Sequence, residues 1–395
     1  LLTLPLIAAG EGSLEWTYVA ASAGEWLLLS ALVELLLGLL QPQGAQPGRR
    51  DGVPQTVSRR RFLAWAGSAA GAVSLGYLGQ QLLAAAAPPL PKLHLGRLLD
   101  GPQGAAANGL TATRDFYVVS KDLFGPPSVD SASWRLTVEG LKPYSIGYSE
   151  LRQLLHVRRI QTLECISNPV GGTLISTGIW RGVRLSSLLR RAGVPAGTAQ
   201  VQFDCADGYT ESLPLAQALA PTTLVADELN GTPLTAPHGF PARVLAVDHY
   251  GMKNPKWLLA IRPTAHSYLG YWEQQGWEAG AYPKIVSRFD FPSGNSSLGA
   301  HRGYLLSGIA FAGTRGISKV ELSVDGSRKW LRAELRPVLS PYSWTIWTYP
   351  WRPTPGYYTL SVRAVDGLGN VQQPGAGQTY PSGANGYQAL TIVVR

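Results

Sequence analysis

The sequence predicts an α+β domain followed by an all-β sandwich of immunoglobulin type, with transmembrane helices ahead of both. Three observations lead to this fold class. Residues 1–90 contain long apolar runs, residues 110–286 mix short strands with short helices, and residues 287–395 show strand patterns with almost no helical periodicity. Residues 91–109, which are rich in proline, glycine and alanine, are predicted to be a linker.

The chain has 395 residues, a length at which two or three domains are expected. Its formal net charge of +9 raises the question of nucleic-acid binding. The basic residues are scattered, however, and no lysine or arginine stripe alternates with stacking aromatics. Composition therefore predicts no nucleic-acid partner.

Two N-terminal runs, 16–40 and 62–87, are apolar and long enough to cross a membrane, which takes about 20 residues. A buried or amphipathic soluble helix is the alternative for the first run, which contains two glutamates. Between the runs, SRRRFL (58–63) resembles a twin-arginine export signal, and plain positive-inside anchoring is the alternative. Both alternatives predict a membrane-anchored protein whose part after Pro88 lies outside the cytoplasm.

The middle and the C-terminal part contain many short periodic segments. Helices are predicted at 149–155 and 185–192. Strands are predicted at 116–120, 134–138, 160–163, 201–203, 209–213, 225–228, 244–248 and 257–261, and then at 305–312, 319–324, 330–334, 344–349, 357–364 and 388–394.

The stretch TLECISNPVGG (162–172) places Cys165 at the end of a short strand, beside an Asn-Pro turn and paired glycines. Sharply turning backbone lets a bulky ligand approach a thiol closely. The alternatives are a small buried hydrophobic residue, or a nucleophile paired with His238 or His249. The chain lacks GxSxG, HExxH, CxxC, a phosphate loop and a dinucleotide fingerprint, so the chemistry that depends on those motifs is not predicted.

Seven collinear segments carry a family resemblance. They are TRDFYVVSKD (113–122), WRLTVEGL (134–141), TLECISNPVGG (162–172), WRGVRLSSLL (180–189), ADGYTESLPL (206–215), HGFPARV (238–244) and YGMKNPKWL (250–258), and GYWEQQGW (270–277) continues the series. Together they resemble the molybdopterin-binding domain of the sulfite oxidase family. Its bacterial members include periplasmic methionine sulfoxide reductases.

The resemblance implies a molybdenum cofactor with one molybdopterin, and it implies that Cys165 is the catalytic residue and the protein ligand of the metal. The cofactor-binding positions that it implies are Arg114, Tyr117, Val118, Cys165, Cys205, His238, Arg243, Asn254, Pro255 and Lys256. A disulfide between Cys165 and Cys205 is the competing arrangement outside the cytoplasm, and it would abolish metal ligation.

One departure concerns the substrate. Sulfite oxidases place an arginine soon after the cysteine, in a Cys-x-Gly-Asn-Arg pattern. Here no cation follows Cys165 before Arg181, which predicts poor sulfite binding. Since no haem-binding module is visible, electrons are expected to pass to a separate carrier or a membrane redox partner.

The C-terminal segments YSWTIWTYPW (342–351) and YTLSVRAVDGLGNVQ (358–372) resemble the dimerisation domain of the same family, so a homodimer is predicted. The leading functional hypothesis is a sulfite oxidase-like, membrane-anchored molybdenum oxidoreductase that performs two-electron oxygen-atom transfer on a small molecule. The alternatives are a sulfoxide reductase of the methionine sulfoxide reductase type, or a non-catalytic binding or scaffold protein on a degenerate domain.

Overall fold

The computed structural model describes residues 109–122, 125–375 and 377–395, which all lie in one compact unit of the chain. These residues form nineteen β-strands and four α-helices, and the longest helix has 8 residues. The predicted α+β class is therefore wrong, because the described part is mostly β. The prediction included no strand for the run that forms the 10-residue strand Ile175–Arg184, in which seven residues are buried.

The first part of the described chain supplies ten strands and all four helices. The strands are β1 (Arg135–Val138), β2 (Tyr144–Gly147), β3 (His156–Glu164), β4 (Ile175–Arg184), β5 (Gln200–Cys205), β6 (Thr210–Pro214), β7 (Leu224–Leu229), β8 (Thr232–Pro233), β9 (Arg243–Leu245) and β10 (Leu258–Thr264). The helices are α1 (Tyr148–Gln153), α2 (Leu185–Ala192), α3 (Leu215–Ala218) and α4 (Tyr271–Gln274). Three 3-10 turns occupy Thr113–Asp115, Ala236–His238 and Gly251–Lys253.

These strands form two sheets that share a core. One has the order β2-β1-β10-β5-β6, and the other has the order β3-β4-β7-β8 with β9 paired to β7. Strand β5 alternates, so that Val201, Phe203 and Cys205 point inward. Helix α2 packs its leucines into the same core as Val225 of β7. The two sheets thereby hold the connections between their strands in fixed positions.

The rest of the chain supplies nine strands: β11 (Val286–Phe291), β12 (Ser297–Leu298), β13 (Tyr304–Phe311), β14 (Ile317–Ser323), β15 (Leu331–Arg332), β16 (Glu334–Leu335), β17 (Thr345–Trp351), β18 (Gly356–Asp366) and β19 (Gln388–Val394). They form two sheets, with the orders β11-β13-β17-β16 and β12-β19-β18-β14-β15. One apolar core between these sheets contains Trp347 from the first and Val362 from the second. This arrangement is a β-sandwich.

The sandwich contacts the strand that leads to Cys165. The amide of Thr162 donates a hydrogen bond to the carbonyl of Tyr342 at 2.9 Å, and the Ser340 hydroxyl donates one to the carbonyl of Ile160 at 2.6 Å. Trp344 packs with Ile175, the first residue of β4, in a small cluster between the two parts. The sandwich therefore braces the β3–β4 hairpin.

The predicted helix at 185–192 agrees with α2 in both bounds. The predicted strand at 116–120 is absent from the described chain, where this segment is irregular. The amide of Tyr117 bonds to the Ser176 hydroxyl instead of to a neighbouring strand, and Val118 is 47% exposed. The alternation of apolar and polar residues was misleading, because neither set of side chains in this segment packs as one face of a sheet.

No helix in the described ranges is long and apolar enough to span a membrane. The predicted spans 16–40 and 62–87, the motif at 58–63 and most of the linker 91–109 lie outside the described residues. The predicted domain boundaries remain predictions.

Candidate functional site

Cys165 begins the connection between β3 and β4. Glu164 and Ile175 are the last paired residues of this hairpin, and the Cys165 amide donates to the carbonyl of Leu174 at 2.9 Å. Inside the loop, the Asn168 amide group donates to the Glu164 carboxylate and its oxygen accepts the amide of Leu174, both at 3.0 Å. The thiol is thereby held where the loop leaves the sheet.

The loop forms one wall of a cavity of about 260 Å³. Of the predicted site residues, the ones that line this cavity are Tyr117, Val118, Cys165, His238, Arg243, Asn254, Pro255 and Lys256. Two predicted residues do not line it. The Arg114 side chain is 87% exposed and pairs with Asp115, while Cys205 is buried at the end of β5 in the core.

Both cysteines are free thiols, so the competing disulfide is not formed. The Cys–His pair is not formed either: the His238 ring contacts the carbonyl of Thr113 at 3.0 Å, and the His249 ring contacts Gln217 and the carbonyl of Gly280. Burial raises the pKa of the Cys165 thiol, and hydrogen bonds from Ser167 oppose that shift.

Two cations in this cavity have no carboxylate partner among the described residues. Arg243 is 6% exposed and donates to the carbonyls of His238 and Asn254 at 3.2 and 2.9 Å. Its Nε is buried without any hydrogen-bond partner. Lys256 donates to the carbonyls of Val119 and Pro237 at 3.0 and 3.1 Å. Buried charges are normally paired, so this wall is suited to an anion.

The pKa values of both cations respond to this burial. Burial lowers the pKa of Lys256 to about 7, and the nearby charge of Arg243 acts in the same direction. Burial also lowers the pKa of Arg243 to about 10.

Asn254 plays a different part. Its side chain accepts a hydrogen bond from the amide of Ala246 and donates one to the carbonyl of Tyr250, and these bonds fix the loop next to Lys256.

The backbone at Gly251 approaches another wall residue closely. A Cβ atom there would lie 2.6 Å from the Tyr117 hydroxyl, which is well inside contact distance. Glycine at 251 thus leaves room for the Tyr117 hydroxyl, and a larger residue there would require the Tyr117 ring to shift. Burial raises the pKa of this hydroxyl well above its usual value, so Tyr117 stays neutral near pH 7.

Another part of the cavity lining is apolar and includes Ile166, which follows Cys165. Ile166, Tyr250, Met252 and Ala281 form a buried cluster, and Trp272 and Trp277 pack against it. Ile166, Met252 and both tryptophans line the cavity, as do Ser167 and Tyr209. None of these six was among the predicted site residues. The segment GYWEQQGW (270–277), which continued the family resemblance, is the signal from which its two tryptophans could have been predicted.

Comparisons with known proteins agree with this geometry. A family profile described as "Oxidoreductase molybdopterin binding domain" matches residues 124–272. The uncharacterized oxidoreductase YuiH of Bacillus subtilis is 32% identical over 162 residues, or 40% of this chain and 80% of that protein. Sulfite oxidase of Arabidopsis thaliana is 29% identical over 280 residues, which cover 55% of this chain and 70% of that one.

The chain belongs to the sulfite oxidase family of molybdopterin-dependent oxidoreductases. Another family relative is a putative protein-methionine-sulfoxide reductase subunit, YedZ1 of Azospira oryzae, which is 36% identical over 151 residues. The match covers 38% of this chain and only 56% of YedZ1. The sulfane dehydrogenase SoxCD of Paracoccus pantotrophus has the same fold, with a TM-score of 0.58 at 21% identity over 68% of this chain and 77% of that one.

The cofactor of this family member is molybdenum–molybdopterin, and the residues present fit it. The unpaired Arg243 and Lys256 would face the phosphate, which supplies the missing negative charge. The Cys165 thiol, which lines the same cavity, would offer a soft sulfur ligand that suits a redox metal of this class. The irregular segment 116–121 would cover the pterin with backbone groups and the Tyr117 ring.

Proposed function

We propose that the protein catalyses two-electron oxygen-atom transfer on a small molecule and that Cys165 is the protein ligand of molybdenum. One observation carries the proposal: the Cys165 thiol lines the same cavity as Arg243 and Lys256, two cations with no carboxylate partner in the described chain. A thiol on one wall and an anion site on another match the two ends of the cofactor, its metal and its phosphate.

When bound, the cofactor supplies the oxygen-atom transfer chemistry. The chain supplies the position and the surroundings. Lys256 and Arg243 hold the phosphate end, and the hydrogen bonds of Asn168 fix the loop so that the thiol faces the metal end. The apolar side chains next to the thiol, above all Ile166 and Met252, limit the access of water.

A specific observation favours reduction of a sulfoxide as the second candidate. Arg181, the first cation after Cys165, pairs with Glu228 at 3.1 Å and does not line the cavity. The surface next to the thiol is instead the apolar wall around Ile166, Trp272 and Trp277. Such a wall suits a neutral substrate with an apolar substituent better than the sulfite anion. The relative YedZ1 is named as a putative protein-methionine-sulfoxide reductase subunit, which agrees with this direction.

The test uses the full chain produced with molybdenum supplied, the Cys165→Ser variant and the Cys205→Ser variant as a matched control. We expect the wild type to contain molybdenum and pterin and to turn over, Cys165→Ser to lose turnover, and Cys205→Ser to keep it. A substrate panel with sulfite plus an electron acceptor, and methyl sulfoxides plus a reduced dye, decides the direction. Wild-type protein without molybdenum would contradict the enzymatic proposal and favour the scaffold alternative.

We also propose that the catalytic part works outside the cytoplasm and exchanges electrons with a separate carrier. The resemblance of SRRRFL (58–63) to an export signal supports the location. Replacing both Arg59 and Arg60 by lysine should keep a fused reporter inside the cell, and export of this variant would contradict the proposal. Membrane attachment and the homodimer remain predictions, and light scattering of the purified protein tests the second.

A further inference from the structure

Ser167 is the polar side chain in contact with the sulfur of Cys165. The two atoms, Ser167 Oγ and Cys165 Sγ, are 3.0 Å apart, and both residues line the cavity. In a free thiol either atom can donate the hydrogen. A metal-bound thiolate has no proton, so in that state only the hydroxyl can donate. The contact therefore becomes an O–H···S hydrogen bond as soon as the metal is bound.

We propose that Ser167 is a positioning residue whose hydroxyl donates a hydrogen bond to the metal-bound sulfur of Cys165 and thereby raises the reduction potential of the metal. This inference rests on the proposed ligation by Cys165. Hydrogen bonds to ligating sulfurs are among the factors through which a protein sets the potential of a metal centre. The bond withdraws negative charge from the sulfur and so favours the more electron-rich, reduced metal.

The hydroxyl is not needed to build the loop. The Cys165 amide bonds to the carbonyl of Leu174, and the Asn168 side chain bonds to Glu164 and to the amide of Leu174. No hydrogen bond of the Ser167 hydroxyl other than the one to sulfur is seen in the described part of the chain. Removing this oxygen should therefore leave the fold of the loop unchanged and alter the sulfur alone.

The charged groups near the sulfur do not replace this bond. Glu164, which precedes the cysteine, is buried, and its carboxylate accepts a hydrogen bond from the Asn168 side chain at 3.0 Å. Lys256 acts on the sulfur through space only, because its ammonium donates to the carbonyls of Val119 and Pro237. The Ser167 hydroxyl is the side-chain group placed for a direct interaction with the sulfur, and the backbone hydrogen bond of the same residue remains when the hydroxyl is removed.

The experiment is a redox titration of the molybdenum in the full-chain holoenzyme, followed by electron paramagnetic resonance. It compares the wild type with Ser167→Ala, Ser167→Thr and Ser145→Ala. Ser145, an exposed residue of β2, does not line the cavity, and its hydroxyl contacts the Thr137 hydroxyl at 3.1 Å. Ser167→Ala should lower the potential by about 59 mV, which is a tenfold change in a one-electron equilibrium. Ser167→Thr, which keeps the hydroxyl, and Ser145→Ala should keep the wild-type value.

An unchanged potential in Ser167→Ala would overturn the inference, and so would an equal shift in Ser145→Ala. If Ser167→Ala does not accumulate as folded protein, Ser167→Gly provides the same loss of the hydroxyl. X-ray absorption at the molybdenum edge separates the two proposals by counting sulfur ligands. If the metal in Cys165→Ser has as many sulfur ligands as in the wild type, the proposed ligation by Cys165 is wrong. If Cys165→Ser has one sulfur ligand fewer and Ser167→Ala still has the wild-type reduction potential, the ligation stands and only the role proposed for Ser167 is wrong.

Discussion

Lys256 and Arg243 differ from two other cations of the described chain, Arg181 and Lys253, in what surrounds them. Arg181 faces Glu228 at 3.1 Å and Lys253 faces Glu211 at 2.8 Å, so each has a carboxylate. Lys256 and Arg243 have carbonyl partners instead. A poorly solvated cation that donates hydrogen bonds only to carbonyl groups destabilises the folded protein until an anion binds. These two residues therefore lower the stability of the cofactor-free protein and favour binding of the anionic cofactor.

Replacing Lys256 by methionine should weaken cofactor retention and leave the cofactor-free protein at least as stable as the wild type. A hydrogen bond to a charged group contributes about 1.5–3 kcal/mol, so retention should fall roughly tenfold to a hundredfold. Elemental analysis gives molybdenum per protein after dialysis, and thermal melting gives stability. Lys142→Met, which changes an exposed lysine, is the control. Equal metal content in Lys256→Met and the wild type would contradict the assignment.

The same lysine predicts a pH dependence in the cofactor-free protein. Burial lowers the pKa of Lys256 from 10.5 to about 7 in the folded state. Between these values the unfolded chain binds more protons, so the contribution of Lys256 to the free energy of unfolding rises from about pH 7 to 10.5. Urea unfolding across this range should show a smaller rise in Lys256→Met. Identical profiles for the two proteins would show that Lys256 is already solvated before the cofactor binds.

At the scale of elements, a buried ion cluster joins three of the segments around the cavity. The ammonium of Lys253, in the turn Gly251–Lys253, contacts Glu211 of β6 at 2.8 Å and also Glu273 of α4. Glu211 further accepts a hydrogen bond from the hydroxyl of Tyr209 at 3.2 Å. The cluster thereby fixes α4, and with it Trp272, against the sheet.

Lys253→Met should destabilise the protein by about 3–5 kcal/mol, because it leaves two buried carboxylates without their cation. Burial already raises the pKa of Glu211 to about 7, and loss of Lys253 should raise it further. With this raised pKa, Glu211 binds a proton in the folded variant over a pH range in which it is ionised in the unfolded chain. The free energy of unfolding of the variant should therefore fall as pH rises above 4.5, the pKa of Glu211 in the unfolded chain.

Chemical denaturation at pH 5 and pH 8 measures this effect. The double variant Lys253→Met/Glu211→Gln should recover part of the loss at pH 8, since it removes one of the two stranded charges. If Lys253→Met is as stable as the wild type at both pH values, the ion cluster is solvated and does not anchor α4.

At the scale of the whole molecule, the sequence predicts what depends on local spacing. Helix α2 has buried residues at 185, 188, 189 and 192 and ends at Gly193, whose φ of 69° favours glycine, and its bounds were predicted correctly. The apolar wall was not predicted, because Met252 comes from one turn and Trp272 and Trp277 from α4 and the loop after it. Arg114 was predicted as a site residue by its place in a motif, although its side chain is exposed.

The two halves of the described chain should unfold together, and Trp344 tests this. Its side chain is 2% exposed in the cluster with Ile175 and Ile309. Its backbone amide donates to the Thr162 hydroxyl at 2.8 Å, and its indole donates to the carbonyl of Gly109 at 3.0 Å. Because Ile175 and Thr162 flank the Cys165 loop, loosening this contact should release the cofactor as well as the sandwich.

We therefore expect one transition in calorimetry of the wild type, at the temperature at which molybdenum is released. Trp344→Ala should cost about 3–5 kcal/mol and should either lower that temperature or split the transition into two. Trp330→Ala, on the edge of the sandwich beside Tyr387, is the control and should keep a single transition. If Trp344→Ala melts like the wild type and releases molybdenum at the same temperature, the sandwich does not support the cysteine loop.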